Sequence, residues 1–466
     1  MKSFMGWGLC RFTLTSVLRK SHHRRRLVGN LLFFEEKKQS TMVFEEGIAK
    51  AFYKYDDDEE AFLVLLFATA RRKKRVKKWT YDRIDWGCHL QELRYTRKFQ
   101  SRYHMSESSF NKLVCILTPK IGINELQSMR STGGNDPITP EMTVGAGLRF
   151  LGGEYVKSIA DIYGMSDKSA ERIINNFLEA VDSNESIGVH LPDTPAKLKE
   201  CADAWDGLSS AFGVYHGAVG AIDGWLCCIE KPKRQSNPTD YFSGHYQRYG
   251  LNIQAVCDAN LRFIYISIKA PGRTNDARAY SRCLGLRRWV QSLPDEYYII
   301  GDNAYTLTNK LLIPFSGAAK LQTYNRTYNF YLSQLRIRIE MAFGRLTTKW
   351  RIFRRNLDFH LEKTAMICRV AAILHNFVIN NDNLDFSNSV ELGEFGVDEL
   401  EDGPNNNRGY LPTLPAQPAN DGLNEVEGCR RNRIVSEIIE RDMRRPTHNL
   451  RRNEELDEVS VYYGDE

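Results

Sequence analysis

The spacing of hydrophobic positions divides the chain near residue 217. Upstream of that point, residues 79–200 place apolar side chains at helical intervals, as in the run that contains Phe110, Leu113 and Leu117. A loop, GGNDP at 133–137, interrupts this pattern with residues that favour turns. This part of the chain is therefore predicted to be helical.

Downstream of residue 217 the pattern changes to short apolar runs, rich in Val and Ile and bounded by Gly, Pro, Asn or Asp. Such runs are typical of strands, and they occupy 218–222, 251–257, 263–268 and 297–300. Apolar positions at helical spacing occur at 275–290, 335–346 and 364–379. The order β-β-β-α-β-α-α predicts an α/β fold with a mixed sheet flanked by helices.

A helix–turn–helix candidate lies at residues 140–181. Its helices are predicted at 144–151, 155–163 and 169–181, and the turn GMS at 164–166 offers Ser166 as a helix cap. Such a unit can place its last helix in the major groove of DNA. An ordinary helical hairpin has the same signature, so both interpretations stay open.

The remaining segments differ in composition from these two regions. Residues 1–78 are expected to be a weakly structured extension, and 381–428, rich in Asn, Asp, Gly and Pro, a disordered linker. Residues 429–466 are expected to form a charged C-terminal helix and tail. The predicted domains are therefore the helical region 79–200 and the α/β domain 217–380.

Charge and cysteine usage narrow the function classes. The net charge of +6 is mild, but residues 71–78 read RRKKRVKK, and 336–355 hold seven Lys or Arg against one acid, Glu340. Basic clusters favour polyphosphate partners, although a solvated face explains any single cluster equally well. The ten cysteines show no zinc spacing and suit a reducing compartment, and no apolar run is long enough to span a membrane.

Four acids fall at the ends or within the predicted elements. Asp223 and Asp302 follow apolar strands, Asp276 opens a helix, and Glu340 lies inside a helix among apolar neighbours. An acid at a strand end lies at the rim of a sheet, and a half-buried carboxylate in a helix needs a partner. A plain salt bridge for Glu340 and a capping role for Asp276 are the structural alternatives.

Carboxylates gathered at one rim of a sheet predict a site for Mg²⁺ or Mn²⁺, because these cations prefer oxygen ligands. Two such ions can activate water and stabilise the leaving oxygen in phosphodiester cleavage. The lack of Cys or His among these candidates argues against zinc.

Five sequence blocks resemble, in order and approximate spacing, those of the PIF/Harbinger transposase-derived nucleases, which are DDE enzymes. The blocks are GAIDG around Asp223, APGRTNDARAY around Asp276, GDNAY around Asp302, LRIRIEMAFGRLTTKWRIF around Glu340, and AAILHNFVI at 371–379. With the similar N-terminal helical region, the resemblance covers about two thirds of the chain. Trp225, where the family commonly has a small residue or Thr, and Thr306, where Pro is usual, depart from the pattern.

The resemblance implies an RNase H-like fold, a divalent metal cofactor and cleavage of DNA strands. By motif position, Asp223, Asp302 and Glu340 match the catalytic DDE triad, and Asp276 matches a further carboxylate, so that all four are expected metal ligands. A separately encoded Myb-like DNA-binding protein is implied as a partner.

We therefore expect a divalent-metal-dependent DNA endonuclease. It would act in the nucleus if RRKKRVKK is an import signal, although this run could equally be a phosphate-binding arm. A catalytically inactive domesticated transposase that only binds DNA is the alternative, and the four intact acids argue against it. A third reading is an RNase H-like enzyme acting on RNA or hybrids, since nothing in the sequence reports on contact with a 2′-hydroxyl.

Overall fold

The computed structural model describes residues 82–122, 136–382 apart from 212 and 234, and 429–445. All of these residues belong to the unit Thr80–Glu466. The predicted extension at 1–78 with its basic run, nearly all of the predicted linker at 381–428, and the end of the C-terminal tail lie outside the described residues.

The described residues form twelve α-helices and six strands, numbered here in chain order. The helices α1 to α12 are Trp86–Tyr95, Phe99–Tyr103, Glu107–Ile121, Pro140–Leu151, Val156–Tyr163, Asp167–Asp182, Pro195–Asp206, Asp276–Arg282, Leu284–Ser292, Thr323–Lys349, Leu361–Asn381 and Arg430–Glu440. The strands β1 to β6 are Ala218–Cys228, Phe242–Ser243, Arg248–Cys257, Phe263–Pro271, Tyr298–Ile300 and Leu311–Leu312. None of the described helices has both the length and the apolar character that a bilayer span requires.

The strands form one mixed sheet in the order β2-β3-β1-β5-β6, with β4 also paired to β3. β1 pairs antiparallel with β3 and parallel with β5, and β5 pairs parallel with β6. β2 and β4 both pair antiparallel with β3. The predicted α/β fold with a mixed sheet flanked by helices is confirmed.

Helices cover both faces of this sheet. Successive side chains of a strand point to opposite faces. In β1, the ring of Trp225 packs against Phe343 of α10 with centroids 5.8 Å apart, whereas the neighbouring Gly224 faces Asp276 at the start of α8. α10 and α8 therefore lie on opposite faces, and β1 between them is buried from Ala218 to Ile222.

Three elements differ from their predicted bounds. β1 continues past the apolar run to Cys228, because residues 223–228 pair one by one with 250–255 of β3, so Asp223 lies within the strand rather than after it. The helix predicted at 275–290 is two helices, α8 and α9, that meet at Cys283. The helix predicted at 335–346 is the middle of the 27-residue α10.

Charged contacts hold the helical region to α11. Asp382, just after α11, accepts hydrogen bonds from the Ser106 backbone N–H at 3.1 Å and from the Ser106 and Ser109 hydroxyls at 2.6 and 2.5 Å. Arg369 of α11 donates two hydrogen bonds to Asp182 at the end of α6, at 2.8 and 2.6 Å. Hydrogen bonds to charged groups are the stronger kind, so α3 and α6 are aligned with α11, which packs on β4.

The three helices of the helix–turn–helix candidate are present as α4, α5 and α6. The turn between α5 and α6 has Gly164 in the left-handed region, with φ of 60°, and Ser166 caps α6 by accepting from the Ser169 N–H at 3.2 Å. The exposed side chains of the first two turns of α6 carry no net charge, since they are Asp167, Lys168, Glu171 and Arg172. A DNA-contacting role for this unit stays a prediction.

The contact between α4 and α6 leads to a stability prediction. A Cβ added to Gly147 of α4 would lie 2.0 Å from Cδ1 of the buried Phe177. We expect Gly147→Ala to destabilise the chain by about 1–3 kcal/mol through overpacking, measured by urea or thermal unfolding.

The matched control is Gly344→Ala in α10, where no atom lies within 4 Å of the added Cβ. This exposed helical position should gain up to about 1 kcal/mol, because Ala has the higher helix propensity. Equal stability of the two variants would contradict the packing of α4 on α6 described above.

Candidate active site

The parallel pairing of β1 and β5 brings Asp223 and Asp302 level with each other. Ala221 pairs with Ile300, and each aspartate lies two residues further along its own chain. Neighbouring strands are separated by about 4.8 Å. Both predicted acids are thereby placed side by side on adjacent segments of the sheet.

Local backbone N–H groups hold each of these two carboxylates. Asp223 accepts from the N–H of Gly224 at 2.7 Å, and Asp302 accepts from the N–H of Ala304 at 3.0 Å in the turn after β5. Hydrogen bonds of this kind fix the orientation of a carboxylate and favour its charged form. They satisfy only part of the accepting capacity of each group.

Glu340 reaches the same region from α10. The rings of Trp225 and Phe343 join β1 to α10, and Trp225 shares its face of the strand with Asp223, while Phe343 lies one helical turn from Glu340. Glu340 accepts a hydrogen bond from Arg336 at 2.5 Å, with side chains 33% and 24% exposed. The salt bridge considered as the alternative for Glu340 is thus present, on the helix face directed at the acids.

The carboxyl groups of Asp223 and Asp302 are buried and lie close to other negative charges. Burial and the charge of Asp302 raise the pKa of Asp223 to about 7. Burial and the charge of Asp276 raise the pKa of Asp302 to about 6, with a smaller contribution from Glu340. Arg336 lowers both pKa values but does not offset these effects. Such shifts are common at functional sites.

Asp276 lies against β1 and β3 from the other face of the sheet. Its Oδ1 accepts hydrogen bonds from Asn252 Nδ2 at 3.0 Å and from Gln254 Nε2 at 2.8 Å. The same oxygen would be 2.0 Å from a Cβ on Gly224, so only glycine leaves room for it. The helix cap is Asn275, whose side chain accepts from the Arg278 N–H, and the capping role considered for Asp276 is therefore wrong.

Tyr305 connects this network to the segment that carries Asp302. Its hydroxyl donates to Gln254 Oε1 at 2.8 Å, and both side chains are buried, each 1% exposed. Gln254 is thereby locked with its amide N–H groups directed at Asp276. Asp276 and the GDNAY turn are joined through one buried amide.

Sequence reasoning missed four residues of this arrangement: Gly224, Asn252, Gln254 and Tyr305. The signal for two of them was available, because Asn252 and Gln254 interrupt an apolar strand at the spacing of two that places them on one face. Buried polar side chains need partners. Their partner is remote in sequence, at Asp276, and only the fold reveals it.

Fewer of the basic side chains around Glu340 are exposed than the run of Lys and Arg in the sequence indicates. Arg338, one of the seven basic residues at 336–355, is 3% exposed and donates to the Ala259 carbonyl, because it points to the buried side of α10. Lys349 donates to the His104 carbonyl at 3.1 Å and is half-buried. Arg345 is exposed, and Arg336 is bound to Glu340.

The donor set suits a hard divalent cation in its chemistry. All four side chains offer carboxylate oxygens, and a cation would relieve the repulsion that raises the pKa values of Asp223 and Asp302. Among the described residues, no three Asp, Glu, His or Cys side chains are already grouped so that they could hold a metal ion. Glu340 is directed at Arg336, and Asp276 at two amides.

A family model matches the part of the chain that contains the four acids. Residues 222–376 match the family model described as "DDE superfamily endonuclease", a range that contains Asp223, Asp276, Asp302 and Glu340. No solved structure matches the chain.

Curated relatives cover a longer stretch. The mouse protein named "Putative nuclease HARBI1" is 25% identical over 259 residues, 54% of this chain and 71% of that protein. The human protein of the same name is 24% identical over 285 residues, 60% and 78% of the two chains. The Arabidopsis thaliana protein named "Protein ALP1-like" is 24% identical over 303 residues, 62% and 72%. The family resemblance of the motifs is confirmed: the chain is similar to the Harbinger transposase-derived nucleases, and residues 222–376 match the DDE superfamily endonuclease model.

Proposed function

We propose that this chain is a divalent-metal-dependent DNA endonuclease with an RNase H-like catalytic domain that hydrolyses phosphodiester bonds. The observation that carries the proposal is that the parallel pairing of β1 and β5 sets Asp223, in β1, level with Asp302, two residues after β5, while Glu340 lies on the helix whose Phe343 packs against Trp225 of β1. Asp223, Asp302 and Glu340 are proposed as catalytic metal ligands, and Asp276 as an auxiliary one.

Mg²⁺ or Mn²⁺ bound to these carboxylates would supply an activated water and stabilisation of the leaving oxygen. The chain itself contributes charge and orientation. Asp223 and Asp302 must be ionised to bind a cation. Arg336 binds the carboxylate of Glu340, and the amides of Asn252 and Gln254 hold Asp276.

Two finer expectations from the sequence belong to the same proposal. We infer that the enzyme acts in the nucleus, on the basis of RRKKRVKK at 71–78, which imaging of a fluorescent fusion with this run replaced can check. A Myb-like protein as DNA-binding partner rests on the family resemblance alone, and co-purification with tagged chain would test it.

The catalytic role of the triad predicts the effect of isosteric substitutions. Asp223→Asn, Asp302→Asn and Glu340→Gln should each lower Mg²⁺- or Mn²⁺-dependent nicking of plasmid DNA by about 10²-fold or more, because even outer partners of metal ligands cost about 10–100-fold. Binding of DNA, measured with EDTA present, should persist because basic residues hold phosphates.

Asp295→Asn is the matched control, since Asp295 is exposed and pairs with Lys310 away from the four acids. This variant should cleave like the wild type. Undiminished cleavage by the three triad variants would refute the proposed roles, and DNA binding without any cleavage by the wild type would favour the catalytically inactive alternative.

The raised pKa values predict how pH and metal affect stability. The pKa of Asp223 is about 7 and that of Asp302 about 6, both above the usual 3.8. Stability contributed by the protonated carboxyls is fully present below pH 3.8 and is lost as pH rises through about 6 to 7. As pH rises from 3.8 to about 7, the melting temperature of the metal-free wild-type chain should therefore fall more than that of Asp302→Asn.

Added Mn²⁺ should reverse the loss, because the ionised carboxylates bind it. We expect a larger rise in melting temperature at about pH 8 than at about pH 5, and a smaller rise in Asp302→Asn. An equal Mn²⁺ effect at both pH values would argue against binding at these acids.

Neighbouring substitutions separate the site role of Asp276 from stability of its helix. Asp276→Asn removes a charged ligand and should reduce cleavage with little change in melting temperature. Asn275→Ala removes the helix cap, which costs about 1 kcal/mol, and should lower the melting temperature while cleavage below that temperature persists. The reverse pattern would make Asp276 a structural residue.

A further inference from the structure

An exposed aromatic ring lies under an arginine at the turn between α4 and α5. Tyr155, at the N-terminus of α5, is 67% exposed, and the guanidinium carbon of Arg355 is 4.2 Å from its ring centroid. A cation–π contact at such a site contributes about 0.5–1 kcal/mol. It also holds the Arg355 guanidinium, with its N–H donors, against the exposed ring.

Two further arginines stand beside this pair. Arg351 and Arg354 belong to the 3-10 helix Arg351–Arg354 and are both exposed. The Cβ of Arg351 lies 3.3 Å from the position of a Cβ on Gly153, so this 3-10 helix lies against the α4–α5 turn. We call Tyr155, Arg351, Arg354 and Arg355 the arginine platform.

The acid next to Tyr155 in the chain does not cancel this charge. Glu154, next to Tyr155 in the chain, is bound to Arg149 at 2.8 Å, a side chain only 5% exposed. The carboxylate of Glu154 is therefore neutralised from the protein interior. The platform keeps three arginines on a short stretch of surface.

An aromatic contact links the platform to the candidate active site. Phe353, between Arg351 and Arg354, packs edge-on against Trp225 with centroids 5.1 Å apart. Trp225 lies two residues after Asp223 on the same face of β1. The contact between Phe353 and Trp225 therefore joins the platform to the part of β1 that carries Asp223, on the side of the helical region.

We propose that the arginine platform binds the phosphate backbone of duplex DNA beside the bond to be cleaved. The proposal rests on the proposed function, since it extends the DNA path away from that site. Three arginines beside one exposed ring suit the phosphates of a duplex better than they suit a single strand. Binding of a single strand uses a series of aromatic rings for successive bases. The first two turns of α6 are less suited to bind phosphates, because their exposed side chains carry no net charge.

The test is DNA binding without cleavage, by fluorescence anisotropy of a labelled duplex in EDTA over a series of salt concentrations. Arg354→Ala and Arg355→Ala should each weaken binding several-fold and lower the slope of log affinity against log salt by about 0.9. Arg355→Lys should keep the slope, because it keeps the charge, yet bind less tightly because it loses the planar stack.

Tyr155→Phe should bind like the wild type, and Tyr155→Ala should weaken binding without a change in slope. The matched controls are Tyr95→Ala, at a ring 91% exposed on α1, and Arg433→Ala, at an exposed arginine on α12, both expected to bind normally. Platform variants that bind like these controls would overturn the proposal, as would platform-dependent binding of single strands tighter than of duplex.

Cleavage assays separate this proposal from the one it rests on. If the platform variants bind DNA normally while Asp302→Asn alone stops cleavage, the proposal for the platform is wrong and the proposed nuclease function is supported. If the platform variants lose duplex binding and the wild type cleaves no DNA, the proposal for the platform is supported and the proposed nuclease function is wrong. A wild-type chain that binds no DNA would overturn both.

Discussion

The parallel pairing of β1 and β5, which places the carboxylates of Asp223 and Asp302 side by side, is the constraint on which the candidate site depends. The register of β1 and β5 sets Asp223 and Asp302 level, and burial together with neighbouring charge raises both pKa values. Arg336 lowers the pKa of both carboxyl groups, and this arginine also binds Glu340. A buried site with this much uncompensated negative charge is suited to bind a cation.

Two close approaches on opposite faces of β1 bring the other acids to this pair. On one face, the rings of Trp225 and Phe343 set the position of α10 and so of Glu340. On the other, the missing side chain of Gly224 admits Asp276, which Asn252 and Gln254 then hold. Trp225, a departure from the family pattern, thus has a packing role between the sheet, α10 and the 3-10 helix that carries the platform arginines.

The helical region is tied to the sheet rather than appended to it. Arg369 within α11 and Asp382 just after it bind α6 and α3 through hydrogen bonds to charged groups, and Arg355 reaches Tyr155 in the α4–α5 turn. Because these contacts join residues far apart in sequence, the turn and the acids are held in one unit. A surface that uses both can therefore present a continuous path to a long ligand.

The sequence by itself determined the mixed α/β class, the family resemblance, and the positions of the acids along the chain, because apolar periodicity and local motifs are encoded within short stretches. It also placed the cap at Ser166, a purely local hydrogen bond. It could not show that Asp223 lies inside a strand, since pairing with residues 250–255 extends β1 past its apolar run. Nor could it show that Arg338 points inward, or that Asn275 rather than Asp276 caps α8. Only the tertiary structure decided which side chains meet, because Asp276 with Gln254, Tyr305 with Gln254, and Arg355 with Tyr155 are contacts between segments that local sequence does not join.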